Sequence, residues 1–362
     1  MSPFADIPAQ RDTEPAPSRR TRVLVTGAGG PAAVGVLRQL AATTDADLFA
    51  ADCDPYAAGL YLVAAARRGL FPRGDDPAFV DAVAQVCRRE AIDVLVPTVD
   101  SELLPLARVE RGFASSGTRL LLADATTLAM CLDKWTLVQA CAATVPVPRT
   151  AVLDGEFDTA DWSWPVIVKP RRGSGSRGIR LVTSPAELAD DPRSGETIVQ
   201  EYLPGEEFSV DVLATRDGRA VAAVPRARLK TDSGVCVTGT TVHDAELERV
   251  ALDVAAVVGL RYVANVQLRR DVTGTPRLLE VNPRFPGTMP LTVASGVDMP
   301  TLALRSLLGE TLPDSVPFRE VSVVRYLDDH FLDRDELLDR RVAPFGTSEL
   351  PSPVLGAKAG AR

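Results

Sequence analysis

The feature that most constrains this chain is a change of pattern at Val145-Pro146-Val147-Pro148. Before it, RVLVTG, AGGPAAVGVLRQLA, DADLFAADCD, a helix near 77–91, IDVLVP at 92–97, a helix near 101–114 and RLLLAD at 119–124 succeed one another. Strand and helix in that rhythm predict a parallel sheet with helices on its faces. A helical stretch over about 125–143 then runs into the prolines, which remove donors and restrain the residues before them. Beyond lie WPVIVKP, GIRLVTS, ETIVQEYL, EFSVDVLA, a strand near 219–226, VANVQLRRD and PRLLEVNP, with one helix near 244–258. Hairpin-like strands with few helices predict a largely antiparallel sheet. The expected fold is therefore α/β followed by α+β. The Pro-, Ala- and charge-rich residues 1–21 and the segment 343–362 are expected to be flexible tails.

Charge and composition narrow the function. A net charge of -8 and a pI near 5.1 disfavour nucleic acid or an anionic membrane as the main partner. No window approaches the roughly 18 apolar residues of a membrane span, and the N-terminus lacks signal-peptide order, so the chain reads as cytoplasmic. Cys53, Cys87, Cys131, Cys141 and Cys236 form no C-x-x-C pair, which fits reduced thiols. With only His243 and His330, a histidine triad or zinc hydrolase has little to work with.

Three stretches carry the chemistry. VLVTGAGGPAAVG at 23–35 nearly satisfies a dinucleotide-binding fingerprint, with Gly27, Gly29, Gly30 and Ala32 in place and Asp52 where a ribose-binding acid would stand. It makes an NAD(P)-dependent oxidoreductase the rival reading; a tight turn, or another ligand at the helix N-terminus, explains the same glycines. IVKPRRGSGSRGIRLV at 167–182 puts Lys169 at a strand end, before Ser174, Gly175, Ser176 and Gly178. Such a loop can turn successive N–H groups toward a phosphate while the lysine supplies a point charge. It is not a Walker loop, since no Gly-Lys-Ser/Thr ends it.

NVQLRRDVTGTPRLLEVNPR at 265–284 is the most informative stretch. Glu280 and Asn282 share one strand face, with Leu279 and Val281 on the other. A two-residue turn at Thr273-Gly274 sets Gln267 opposite Glu280. One carboxylate and two amides, all oxygen ligands, suit Mg²⁺ (or Mn²⁺), which takes few protein ligands beside nucleotide phosphate. Arg284, just beyond, is placed to hold a carboxylate or an acyl phosphate. In RARLKTDSGVCVTGTT at 226–241, Arg226, Arg228 and Lys230 alternate, forming a basic stripe before a mobile loop suited to grip a γ-phosphate. In VQEYLPGEEF, Gln200, Glu201, Leu203 and Glu207 offer a strand-to-loop edge for adenine and an acid for ribose.

In this order, the Lys169 strand and loop, VQEYLPGEEF, NVQL and LLEVNPR resemble the ATP-grasp superfamily over about 22–312. They are closest in motif to carbamoyl phosphate synthetase large subunits and amino-acid ligases, with D-alanine:D-alanine ligase more distant. The resemblance implies a pre-ATP-grasp domain over 22–125 and an ATP-grasp domain over 126–312, comprising a nucleotide lid (about 145–205) and a catalytic sheet (about 206–312). A C-terminal extension over 313–342 packs on that domain. It implies that Lys134 and Lys169 contact phosphates, Glu201 and Leu203 the adenine, Glu207 the ribose, and Gln267, Glu280 and Asn282 the metal. Gly29, Asp100, Glu102, Arg226 and Gly287, the last in the substrate-loop-like FPGTMPLTVASG, fall near the substrates. The implied activity is an ATP-dependent carboxylate–amine ligase acting through an acyl phosphate on small molecules, in natural-product biosynthesis, with a homodimer left open.

Overall fold

The computed structural model describes residues 19–337, apart from 174, 176, 233, 334 and 335. The expected tails lie outside those residues, save for 19–21. Strands β1 (Arg22–Thr26), β2 (Asp47–Asp52), β3 (Arg68–Leu70), β4 (Val94–Val96) and β5 (Arg119–Leu120) form a parallel sheet ordered β3-β2-β1-β4-β5. Helices α1 (Pro31–Thr43), α2 (Phe79–Arg89), α3 (Asp100–Arg108) and α4 (Glu110–Ser115) connect and cover it. The single helix expected near 101–114 is thus two pieces, and the strand expected to reach residue 124 stops at Leu120.

Helices α5 (Ala125–Cys131) and α6 (Lys134–Cys141) follow, each begun by an aspartate. Asp133 accepts from the Trp135 and Thr136 N–H groups at the start of α6, satisfying donors a helix start leaves open. Past the prolines, β6 (Thr150–Val152), β7 (Val166–Pro170), β8 (Arg180–Val182) and β9 (Thr197–Glu201) make a small sheet ordered β6-β9-β7-β8, the lid. A larger antiparallel sheet is built from β10 (Glu207–Ala214), β11 (Ala220–Asp232), β12 (Val235–Thr241), β13 (Val263–Arg270), β14 (Pro276–Asn282) and β15 (Ser322–Val324), in the order β14-β13-β10-β11-β12-β15. Helix α7 (Ala245–Val258) covers one face, and α8 (Met289–Ala294) and α9 (Met299–Leu308) pack toward the N-terminal domain. The C-terminal segment adds β15 to the edge of β12.

Two expectations about the second half are corrected. The stretch 226–241 is a paired β11–β12 hairpin rather than a mobile loop, and the substrate-loop stretch after Arg284 contains the helix α8. No described helix is long and apolar enough to cross a membrane.

The cores differ in extent. Val23, Val25, Val36 and Leu37 of the N-terminal domain share one apolar cluster with Leu213, Val221, Phe285 and Met289 of the large sheet and its flank. The lid keeps its own cluster around Leu153, Trp162, Val166 and Val199.

Candidate active site

The lid, the large sheet and the N-terminal domain enclose a cavity of about 890 Å³. Its floor is one face of the sheet. Because side chains alternate across a strand, Glu207 and Ser209 of β10, Arg226 and Arg228 of β11, and Asn265 and Gln267 of β13 all line it. Ser209 stands opposite both Arg226 and Gln267. Glu280 and Asn282 of β14 complete the floor, with Gln267 opposite Glu280 and Asn265 opposite Asn282.

The expected pairing therefore exists, but not for the expected reason. The connection is the five-residue stretch 271–275, in which Asp271 Oδ1 accepts from the N–H groups of Thr273 and Thr275. A register shift between Gln267 and Leu268 then restores the pairing. The shift leaves Leu279 without an opposite partner, as a β-bulge does, and Leu279 lines the cavity beside Glu280 instead of joining the apolar face. Leu278, at 0% exposure, takes the core position.

Positive charge is concentrated above this face. Lys169 Nζ sits on β7 in near-complete burial, and that burial pulls its pKa down to about 8; Glu280 and Glu207 oppose the shift and Lys134 adds to it. Lys134, also buried, donates to the Gly173 carbonyl at 2.8 Å and lies 3.7 Å from Glu280 Oε2. Asn282 Nδ2 donates to Glu280 Oε1 at 3.3 Å. Gly175, with φ +70°, lines the cavity, whereas Gly178 lies outside the lining, against Pro170. Ser174 and Ser176 lie outside the described residues.

At the strand end, Gln200, Glu201 and Leu203 line the cavity with Ile167 and Ile179, an apolar slot with a polar rim. Gln200 donates to Thr150 Oγ1 and Glu201 accepts from the Arg149 N–H, which fixes both side chains. Glu207 is gripped by Arg228 at 2.8 Å and Arg269 at 3.8 Å.

The basic stripe does not hold together. Register shifts on either side of Lys230 turn it to solvent, so Arg226 and Arg228 line the cavity and Lys230 does not. Arg284 lines it, yet its guanidinium is held by Asp100 through both carboxylate oxygens, at 2.6 and 3.2 Å. Gly287 lies in the wall; a Cβ there would come within 3.0 Å of Pro31. Glu102 is set back from the cavity, accepting from Thr26 Oγ1 at 2.6 Å, and burial pushes its pKa up to about 7.

The glycine loop after β1 is already occupied by protein. A Cβ on Gly27, at φ +68°, would stand 2.3 Å from Val99, and Gly29 donates its N–H to Asp52 at 2.7 Å. The acid expected to face a ribose is thus committed to the loop and to the Asp54 N–H. Gly30, Pro31 and Ala32, rather than Gly29, line the cavity.

Sequence reading missed Ser209, Asp211 and Asn265. Asp211, at 0% exposure, projects from the same sheet face as Glu207 and Ser209, where α8 covers it, and accepts from Arg226 Nη2 at 2.6 Å, Asn265 Nδ2 at 2.7 Å and Thr292 Oγ1 at 2.5 Å. The available signal was a polar residue at every second place in otherwise apolar strands.

Two sheets thus close on one lysine-roofed, oxygen-lined cavity. The chain carries an ATP-grasp domain and a PylC-like N-terminal domain: residues 193–330 match the family described as ATP-grasp in the biosynthetic pathway with Ter operon, and residues 23–121 match the PylC-like N-terminal domain. It is 33% identical over 119 residues to a D-alanine–D-alanine ligase of Thermotoga sp. (strain RQ2), a match spanning 32% of this chain and 39% of that relative. A carbamoyl phosphate synthase large chain of Clostridium botulinum (strain Loch Maree / Type A3) matches at 24% identity over 217 residues, 56% of this chain and 19% of the relative. The fold is shared with biotin carboxylase from Campylobacter jejuni (TM-score 0.68, 15% identity, 84% of this chain and 75% of that one). It is shared too with L-amino acid ligase from Bacillus licheniformis (TM-score 0.62, 16% identity, 80% and 75%).

Proposed function

We propose that the protein is an ATP- and Mg²⁺-dependent ligase that activates a carboxylate as an acyl phosphate and couples it to an amine, releasing ADP and phosphate. The observation that carries this reading is the floor that sets Gln267, Glu280 and Asn282 together beside the buried Lys169 and Lys134. Hard oxygen donors with a single carboxylate fit a cation that keeps nucleotide phosphate in its coordination sphere. Among the described residues no cluster of three or more His, Cys, Asp or Glu offers a denser cage. Bound there, Mg²⁺ (or Mn²⁺) would neutralise phosphate charge during transfer.

In this reading the slot between Ile167 and Leu203 takes adenine, with Gln200 and Glu201 at its polar edge, and Glu207 takes the ribose. Lys169 and Lys134 hold phosphate oxygens. Arg228 is oriented by Glu207, and Arg284 by Asp100, so both present fixed donors rather than free charges. Phosphoryl transfer needs positioning and charge neutralisation more than covalent chemistry, which these groups supply. The lid excludes water that would hydrolyse the acyl phosphate. The L-amino acid and D-alanine ligases among the relatives favour an amine acceptor. A small-molecule biosynthetic pathway is the setting we infer.

The test is acid-dependent release of ADP across amino-acid and simple-acid pairs, with hydroxylamine trapping of the acyl phosphate and mass spectrometry of the product. Formation of AMP in place of ADP, or nucleotide turnover indifferent to every acid and amine, would overturn the reading.

A further inference from the structure

The protein balances the arginine charge of the cavity with its own acids. Each arginine that lines it has a carboxylate of the chain in ion-pair reach: Arg226 holds Asp211 at 2.6 Å, Arg284 holds Asp100 at 2.6 Å, and Arg228 and Arg269 share Glu207. Arg325 donates to the Gly287 carbonyl and does not line the cavity. The lining acids Glu201, Glu207 and Glu280 stand where the proposed function puts nucleotide and metal. A charged group of the substrate lying away from them would find no unpaired counter-charge, and burying a charge without one is costly.

The wall contributed by the N-terminal domain and the start of β12 is of another kind. Val99 covers Gly27, whose carbonyl accepts from the Gly30 N–H at 3.0 Å, and Pro31 comes next; both Val99 and Pro31 line the cavity and keep exposed apolar surface. Across from Pro31, a Cβ on Gly287 would come within 3.0 Å of Pro31 and 3.9 Å of Val235, so the missing side chain leaves a gap between the two. Nearby polar atoms are already engaged: Thr288 Oγ1 donates to the Cys236 carbonyl, and Cys236 Sγ to the Thr238 carbonyl. Asp100, the residue after Val99, holds Arg284, so the apolar wall adjoins that fixed donor. Exposed apolar surface gains from being covered.

We propose that this wall receives the side chain of the activated acid, and that this side chain is uncharged and apolar, an alkyl chain seated against Val99, Pro31 and Val235. The proposal rests on the ligase reading and adds a substrate class to it. Gly287 sets the depth of the seat and Val235 one of its sides, so both determine specificity.

Matched pairs test it: norvaline with glutamate, 2-aminobutyrate with aspartate, norleucine with lysine, butyrate with succinate. Each compound is assayed for ADP release and, separately, for calorimetric binding to the ADP-loaded protein. The neutral member is expected to win by about tenfold or more, because the charged one buries an unpaired charge. From alanine through 2-aminobutyrate to norvaline, affinity should rise by about fourfold per methylene. Gly287→Ala should move the preference to a shorter chain and Val235→Ala to a longer one, both with wild-type affinity for ADP. A charged member that wins, pairs that bind alike, no binding by any neutral member, or a chain-length preference untouched by both variants overturns the proposal. Neutral-selective binding without acid-dependent ADP release would instead sustain the pocket and sink the ligase reading.

Discussion

The lid and the body of this protein grip the same cavity by opposite means. The body is one piece: the N-terminal sheet and the large sheet share an apolar cluster, and Asp211 ties the end of the floor to α8. The lid has a small core of its own and meets the body through polar contacts. Asp133 binds Arg171 and Arg172, each at 2.8 Å, and Lys134 reaches the Gly173 carbonyl. An apolar seam fixes geometry, whereas a seam of ion pairs and hydrogen bonds can open and close at little cost. The difference teaches where movement belongs: in the proposed function the substrate end would be built in advance, and the nucleotide end would close around its ligand.

The comparison can be broken hardest at Asp211. Asp211→Ala leaves Arg226 buried without its counter-charge and should lower global stability by about 3–5 kcal/mol, read by urea unfolding; a wild-type midpoint would show that the floor does not depend on this pair. Glu280→Ala should leave unfolding unchanged while turnover drops by about 10²–10³-fold, the usual effect of removing a group that stabilises transferring charge. Retained activity would remove Glu280 from the phosphate site.

Lys169 tests the lid itself. Lys169→Met should weaken ADP binding by about ten- to a hundredfold, the scale of a charge-assisted contact, with the melting transition kept. Its pKa near 8, below the ordinary 10.5, means that the charge is present below pH 8 and lost above it. Nucleotide affinity should therefore fall as pH rises through 8, with that step missing in Lys169→Met. The stability term runs the other way: from 8 to 10.5 the unfolded chain holds more protons, so stability from this group rises with pH across that window. The smallest effect is expected at the latch. Asp133→Ala removes a helix cap together with both arginine contacts and should cost about 1–2 kcal/mol. Hydrogen exchange should locate that loss in the lid and α6; a loss spread over the large sheet would erase the distinction between the two regions.

Legibility followed the same division. The strand–helix rhythm and the hairpin face were readable because side-chain period depends only on local backbone geometry. What escaped was the bulge: nothing in PRLLEVN announces that Leu279 would turn inward while Leu278 takes the core position. Lys230 was misplaced for the same reason, since a register shift breaks the alternation that defined the stripe. The Arg284–Asp100 pair spans 184 positions, and each residue alone reads as a free charge. Alternation in EFSVDVLA marks Asp211 as a polar residue on the floor's face, but its partners come from β11, β13 and α8, a convergence only the packed sheet creates.

The lid leaves and rejoins the body at one seam. Thr150 pairs with Gln200, and the Glu201 N–H donates to the Arg149 carbonyl at 2.8 Å, so the two ends of the segment stand side by side. A segment with adjoining ends behaves as a cassette: it can be lengthened, replaced or lost without re-threading the rest of the chain. The N-terminal domain has no such freedom, because cutting it away would strip the cover from Val221, Phe285 and Met289. Chimeras that exchange nucleotide preference should be cut at residues 149 and 201, whereas the substrate end has to be inherited whole.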